Sequence, residues 1–286
     1  MNDIVKKALS AFCCLLLATM ATAQPEYSKT DSINVEKWLN ESRQIEGTPQ
    51  LVMFFAEKLK DIPYVAYTLD QNREERLVVN TRELDCTTYV ENVLALALCA
   101  SNKMYHFPQF CFALQKIRYV KGQIHYTARK HYFTTWINDN ASLGLIEAVD
   151  QPNPPFSATQ IVDVDYMSTH PDAYAMLKGH PEWMDAIIEM EKEISGMKER
   201  YIPSAVVGNS SLLRQFVFDG DIIAIVTKKK GLDISHVGFA KWHKDGLHLM
   251  NASMIHKKVV DENMKLADYL KKHPSHLGVR IIRPIF

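Results

Sequence analysis

The stretch TRELDCTTYVENVLALAL, residues 81–98, sets one cysteine, Cys86, directly after an aspartate and directly before an apolar run of helical period. Aspartate is a good helix N-cap, because its carboxylate accepts a backbone N–H that the first turn leaves unpaired. Asp85 therefore predicts a helix that begins at Cys86. Along that helix Tyr89, Val93 and Ala97 lie beside Val90, Leu94 and Leu98 in two rows four residues apart, which predicts one buried face. A thiol on the first turn meets the positive end of the helix dipole and its free N–H groups. Both favour a thiolate, and the N–H groups can also hold an oxyanion. The same placement suits an inert buried thiol, and the helix alone does not choose between them.

Working outward, residues 33–60 read as two amphipathic helices broken near Gly47-Thr48-Pro49. PYVAYTLDQNREERLVVNT, residues 63–81, reads as short β-like pieces around a polar turn. Residues 108–142 hold a helix, a Tyr/His-rich connection and a second helix start, and residues 182–200 predict a charged amphipathic helix. The Pro-rich stretch from Asp150 to Pro155 reads as an insertion or a boundary. The last third changes period. DGDIIAIVTKK, ISHVGFAKWHKDG, LHLMNASM and GVRIIRPIF predict consecutive antiparallel strands. Helices followed by a strand meander predict the α+β class.

Residues 1–23, MNDIVKKALSAFCCLLLATMATA, have the basic start, apolar middle and small-residue end of a secretory signal peptide. The apolar part is too short for a comfortable membrane span, so no stable insertion is expected after cleavage. With Lys6, Lys7 and Asp3 set aside, the remaining 263 residues carry 31 basic and 32 acidic side chains. That balance argues against nucleic acid or an anionic membrane as the main partner. Cys86, Cys99 and Cys111 remain, an odd number, so one disulfide would leave one thiol free. Cys99 and Cys111 sit in apolar contexts and read as small buried hydrophobes.

A cysteine nucleophile needs a base and an orienting group for that base. DISHVGFAKW places His236 in a strand-like run, from which it could project towards the helix start. LHLMNAS, on the next predicted strand, offers Asn251, whose carbonyl can hold the far side of an imidazole; His248 competes for that place by spacing. In HYTARKHYFTTW, Arg129 and His131 are candidates to fix carboxylates or carbonyls, and Tyr126, Tyr132 and Trp136 to stack against sugar or peptide. Eleven histidines raise the question of zinc. There is no H-E-x-x-H, however, and His236, His243, His248 and His256 show no short ligand spacing paired with an acidic residue. No metal and no cofactor are expected.

Taken together, the Asp-Cys helix start, GDIIAI, SHVGFA and HLMNAS resemble the NlpC-type, papain-like cysteine hydrolases of the cell wall. The resemblance implies a nucleophile helix packed on an antiparallel sheet or barrel, with additional helices in the middle of the chain. It also implies roles: Cys86 attacks, His236 is the base, and Asn251, placed before a small residue and Ser, orients it. LDCTTYVENVLALA, ARKHYFTTWI and DISHVGFA further resemble the secreted N-acetylmuramoyl-L-alanine amidase-like branch, from about residue 50 to the end. That branch implies hydrolysis of the amide between N-acetylmuramic acid and L-alanine, with peptidoglycan-derived muropeptides as partners. Tyr67 resembles the family's upstream tyrosine at the oxyanion site, and Tyr64 is the alternative. No wall-targeting repeat is recognisable, which favours soluble fragments over intact wall. The expectation is one catalytic domain over residues 24–286 with helical insertions, exported to the periplasm and monomeric. Cleavage between D-glutamate and a diamino acid is the nearest alternative, and a non-catalytic muropeptide-binding protein is the third.

Overall fold

The computed structural model describes residues 24–286, and the signal-peptide reading of residues 1–23 lies outside the described residues. The central helix, Cys86–Ser101, starts where Asp85 predicts. Asp85 Oδ1 accepts the Thr88 N–H at 2.8 Å while Thr88 Oγ1 accepts the Asp85 N–H at 2.9 Å. This reciprocal cap satisfies donors that the first turn would leave bare.

The expected single buried face is corrected. Thr88 to Ala97 are buried without interruption, and Cys99 and Ala100 with them. The helix packs against Lys29–Glu41, Thr48–Lys58 and Phe107–Arg118 on its outer sides, as well as against the sheet. A helix enclosed on all sides needs apolar residues all round. Where it carries a charge, the charge is paired: Glu91 Oε2 accepts from Arg118 Nε at 2.7 Å.

Among the described residues the sheet has eight strands, all antiparallel: β1 (Ile146–Val149), β2 (Ala158–Ile161), β3 (Lys198–Pro203), β4 (Ile222–Thr227), β5 (Ile234–Trp242), β6 (Leu247–Ser253), β7 (Lys258–Lys265) and β8 (His276–Pro284). Their order is β2-β3-β8-β4-β5-β6-β7, with β1 also paired to β8. Both faces are covered. Ile222, Ala224, Val237, Phe239 and Met250 pack into the core of the central helix. Ile223, Ile225, Ala240, Leu249 and Ile281 pack into a second core on the other face. This alternation at period two is what the β4, β5 and β6 sequences encode. The class is α+β, with an antiparallel sheet and helices.

One expectation for the middle of the chain changes. The helix predicted over 182–200 runs only from Met184 to Ile194, and Lys198–Pro203 is β3. Gly196 separates them with φ +88°, a conformation that stops a helix at low cost for glycine alone. Residues 126–194 also contribute a third cluster, with Tyr126, Tyr132, Val164, Met167, Met190 and Ile194 buried together. No helix among the described residues is long and apolar enough to cross a membrane.

Candidate active site

Where the Cys86 end of the central helix meets β5, a cavity of about 150 Å³ is lined by Cys86, Thr87, His131, Tyr132, Asp233 and His236, among others. The strand that brings His236 there is irregular. Ile225 of β4 opposes His236 and Val226 opposes Ile234, which leaves Ser235 as the extra residue of a bulge. Bulges beside a site re-aim the neighbouring side chain. Gly238, two residues further on, lets β5 and β6 approach closely: a Cβ there would meet the Met250 carbonyl oxygen at 2.6 Å and Asn251 Cβ at 2.9 Å.

That close approach sets Asn251 Oδ1 at 2.8 Å from His236 Nε2. A carbonyl oxygen only accepts, so Nε2 carries the proton and Nδ1 keeps the lone pair. His248 is committed elsewhere, its Nδ1 to the Glu262 carbonyl at 2.7 Å and its Nε2 to Asp245 at 3.0 Å. Of the two residues that spacing left open, Asn251 is the hydrogen-bonded neighbour of His236.

Burial, followed by the charge of Asp85, pushes the Cys86 thiol up to about 12, against smaller opposing contributions from Val237 and Thr87. Burial likewise pushes His236 below its ordinary value, against the opposing hydrogen bond to Asn251 and the charge of Glu262. Both shifts favour the neutral forms, a thiol on Cys86 and an uncharged imidazole on His236.

The candidate binding residues divide. His131 lines the cavity, with Nε2 held by the Tyr126 carbonyl at 2.8 Å. Burial and the nearby Arg129 cation push it down to about 3, so it presents a neutral ring. Tyr67 is 68% exposed on a turn with φ +62°. Tyr64 is half-buried, and after burial it is the Cys86 charge that most raises its phenol. The other three are not among the residues that line the cavity. The Arg129 fork is spent on Glu75 (2.6 and 3.1 Å) and Asp70 (2.7 Å), both protein carboxylates. Tyr126 is buried between Trp183 and His131, at centroid distances of 5.3 and 4.5 Å. Trp136 is fully buried, stacked on Phe133 at 4.7 Å. The segment is split: Tyr126, Arg129 and Trp136 are buried away from the cavity, whereas His131, Tyr132 and Phe133 line it.

Asp233 is a wall residue that sequence reasoning missed. Its two oxygens accept from Thr134 N at 2.6 Å and Ile234 N at 2.8 Å, tying the start of the Phe133–Ser142 helix to β5. Its signal was present, three positions before His236 in DISH. Tyr174, Met167 and Leu232 complete the wall from segments that carry no local signal. The expectation that no histidine pair has an acidic residue at short ligand spacing is corrected: in the β5–β6 turn His243, Asp245 and His248, only two and three positions apart, bring their ligand atoms within 4.8 Å of one another. None of the three lines the Cys86 cavity.

A family model described as AmiA-like, N-acetylmuramoyl-L-alanine amidase-like, matches residues 54–279. No curated protein matches the chain. A solved N-acetylmuramoyl-L-alanine amidase from Bacteroides uniformis is 37% identical, covering 84% of this chain and 99% of that one, with a TM-score of 0.78. A Bacteroides fragilis protein, provisionally named a xylanase, is 40% identical over 80% of this chain and 98% of that one, at TM-score 0.75. A Legionella pneumophila protein of the DUF1460 family model shares the fold, with a TM-score of 0.71, 22% identity, and coverage of 90% of this chain and 95% of that one.

Proposed function

The chain belongs to the N-acetylmuramoyl-L-alanine amidase-like family, and on that premise we propose that it hydrolyses the N-acetylmuramoyl-L-alanine amide of soluble muropeptides by cysteine acyl-enzyme chemistry on a papain-like, NlpC-type fold. The observation that carries this reading is the His236–Asn251 bond of 2.8 Å at a cavity whose wall also holds Cys86. It is the nucleophile, base and orienting acceptor that such chemistry needs.

In this mechanism Cys86 Sγ attacks the lactyl carbonyl carbon as its proton passes to His236 Nδ1. Backbone N–H groups at the helix start hold the oxyanion, with the Tyr67 or Tyr64 phenol as a further donor. The tetrahedral intermediate breaks its C–N bond, His236 returns the proton to the alanine nitrogen, and a thioester remains. Water, losing its proton to His236, attacks the thioester, releases the lactyl acid and restores the thiol. His131, neutral and on the wall, is a hydrogen-bonding partner for substrate. The catalytic unit is the single domain over residues 24–286, exported by residues 1–23 into the periplasm and acting as a monomer.

The xylanase name of the Bacteroides fragilis relative is not carried over. Glycoside hydrolysis uses two carboxyl groups across the cleft, about 5–10 Å apart. Among the described residues that line this cavity Asp233 is the one carboxylate, and both its oxygens already accept backbone N–H groups. The test is mass spectrometry of a muropeptide mixture digested by wild type and by Cys86→Ser. Intact stems beginning with L-alanine should be released by wild type only and with chelator present. Cleavage within the stem would transfer the protein to the endopeptidases, and equal release by Cys86→Ser would end the cysteine mechanism.

A further inference from the structure

Resting on that reading, we propose that Glu262 of β7 is a positioning residue for His236, acting through Asn251 by fixing which end of the Asn251 amide faces the imidazole. An asparagine amide is nearly symmetrical in shape, so packing alone does not orient it. Turned over, it would offer N–H to His236 Nε2, make Nε2 the acceptor and leave the proton on Nδ1. That tautomer cannot take the thiol proton. The decision falls to the second partner of the amide. Asn251 Nδ2 donates to Glu262 Oε1 at 3.3 Å, and a carboxylate has no proton to give in return. With Nδ2 so engaged, Oδ1 is the atom left for His236 at 2.8 Å.

The placement of this carboxylate needs an explanation, because Glu262 is 2% exposed and a buried anion is costly without compensation. β7 pairs regularly with β6 up to Asp261, opposite Met250, and resumes at Lys265, opposite His248. Glu262 lies at the start of that break, and its own carbonyl accepts from His248 Nδ1 at 2.7 Å. Its second oxygen, Oε2, lies 3.2 Å from Nε2 of the largely exposed His256. The carboxylate is thus held on one side by a solvent-facing imidazole and spends its other side on Asn251. A purely structural role would be served more cheaply by a neutral residue.

Other groups bear on His236 as well: Asp85 at the helix start, His273 after the Leu266–Lys271 helix, and His276 on β8. Tyr269, on that helix, stands 6.4 Å from the His236 ring and also faces Glu262. Of these, Glu262 alone is hydrogen-bonded to Asn251.

The test uses the mature chain with Glu262→Gln and Glu262→Ala, alongside Cys86→Ala. Turnover of a muramoyl-L-alanine fragment is followed against pH, and the His236 tautomer is read from imidazole ¹⁵N shifts. Glu262→Gln keeps an acceptor oxygen, so it should retain most of kcat and the Nε2–H tautomer. Its acid limb should move to lower pH, because the carboxylate that favours the imidazolium is gone. Glu262→Ala should lose about ten- to a hundredfold in kcat with little change in KM, and should populate the Nδ1–H tautomer. Wild-type turnover and tautomer in a folded Glu262→Ala would overturn the proposal. So would equal losses in both variants with an unmoved acid limb. If Glu262→Ala does not fold, the acid limb and tautomer of Glu262→Gln decide. An active Cys86→Ala would overturn the underlying mechanism instead, and the tautomer readings would still judge Glu262.

Discussion

Burial is the largest influence on the protonation of Cys86 and His236, the two residues to which the proposed mechanism gives the chemistry. A helix N-terminus favours a thiolate by roughly 1 kcal/mol or less where it is solvated, whereas desolvating an anion costs several times that. Cys86 is accordingly pushed up to about 12, with Asp85 adding to the effect, and His236 is pushed down. The proton then moves during attack instead of before it. Iodoacetamide should therefore alkylate Cys86 at a rate that keeps climbing with pH beyond about 9, where an ordinary thiol levels off. A plateau already present below neutrality would mean a preformed ion pair and would refute this account. The sign for the base is the reverse of that for a stabilised cation. A depressed His236 stays neutral below its ordinary value, so activity persists into mild acid and is lost as pH falls through the lowered pKa. Arg129 shows why single residues mislead in a sequence. Beside His131 and Tyr132 it looks like a substrate fork, yet its partners Asp70 and Glu75 lie more than fifty positions away and only the fold brings them to it.

The start of the Cys86–Ser101 helix was legible because its cap is local: Asp85, Cys86 and Thr88 sit within one turn. Asp85 has two effects there that a substitution can separate. As N-cap it supports the helix, and serine caps about as well; as a charge it raises the Cys86 thiol. Asp85→Ser should leave the melting temperature close to wild type while Cys86 alkylation at pH 8 becomes faster. An unchanged alkylation rate would show that the Asp85 charge does not reach the thiol. Strands β4, β5, β6 and β8 were legible from apolar, β-branched runs. β7 was not, because KVVDENMK carries charges and an asparagine where a strand ordinarily shows alternation. Of its two buried members, Val259 and Glu262, the second is a carboxylate hydrogen-bonded to Asn251 and His256, and it is this buried charge that hides the strand. β3 was read as the end of a helix because its Lys-Glu-Arg composition suits one, and only Gly196 marks the change.

Across the molecule, the parts read best from sequence are those that speak locally: the helix cap, the strand meander, and the two strands that bring His236 to Asn251. The cavity wall was read in part. His131 and Tyr132 lie on it, whereas Tyr126 is buried in the interior that residues 126–194 build for themselves and Trp136 in the core around the central helix. An aromatic motif gives no sign of which side of its rings will face solvent, since that depends on segments such as Met167 and Tyr174 folding over it. In the proposed mechanism, what unites the sheet, the central helix and this covering segment is a cavity lined by one thiol, Cys86, and one imidazole, His236, hydrogen-bonded to Asn251. The most direct measurement of that claim is intact-protein mass spectrometry of a rapidly quenched turnover of a muramoyl-L-alanine fragment, followed by peptide mapping. A transient adduct of the muramoyl group, with the peptide stem absent, is expected on Cys86. Turnover with no adduct on any cysteine, abolished by chelator, would contradict it.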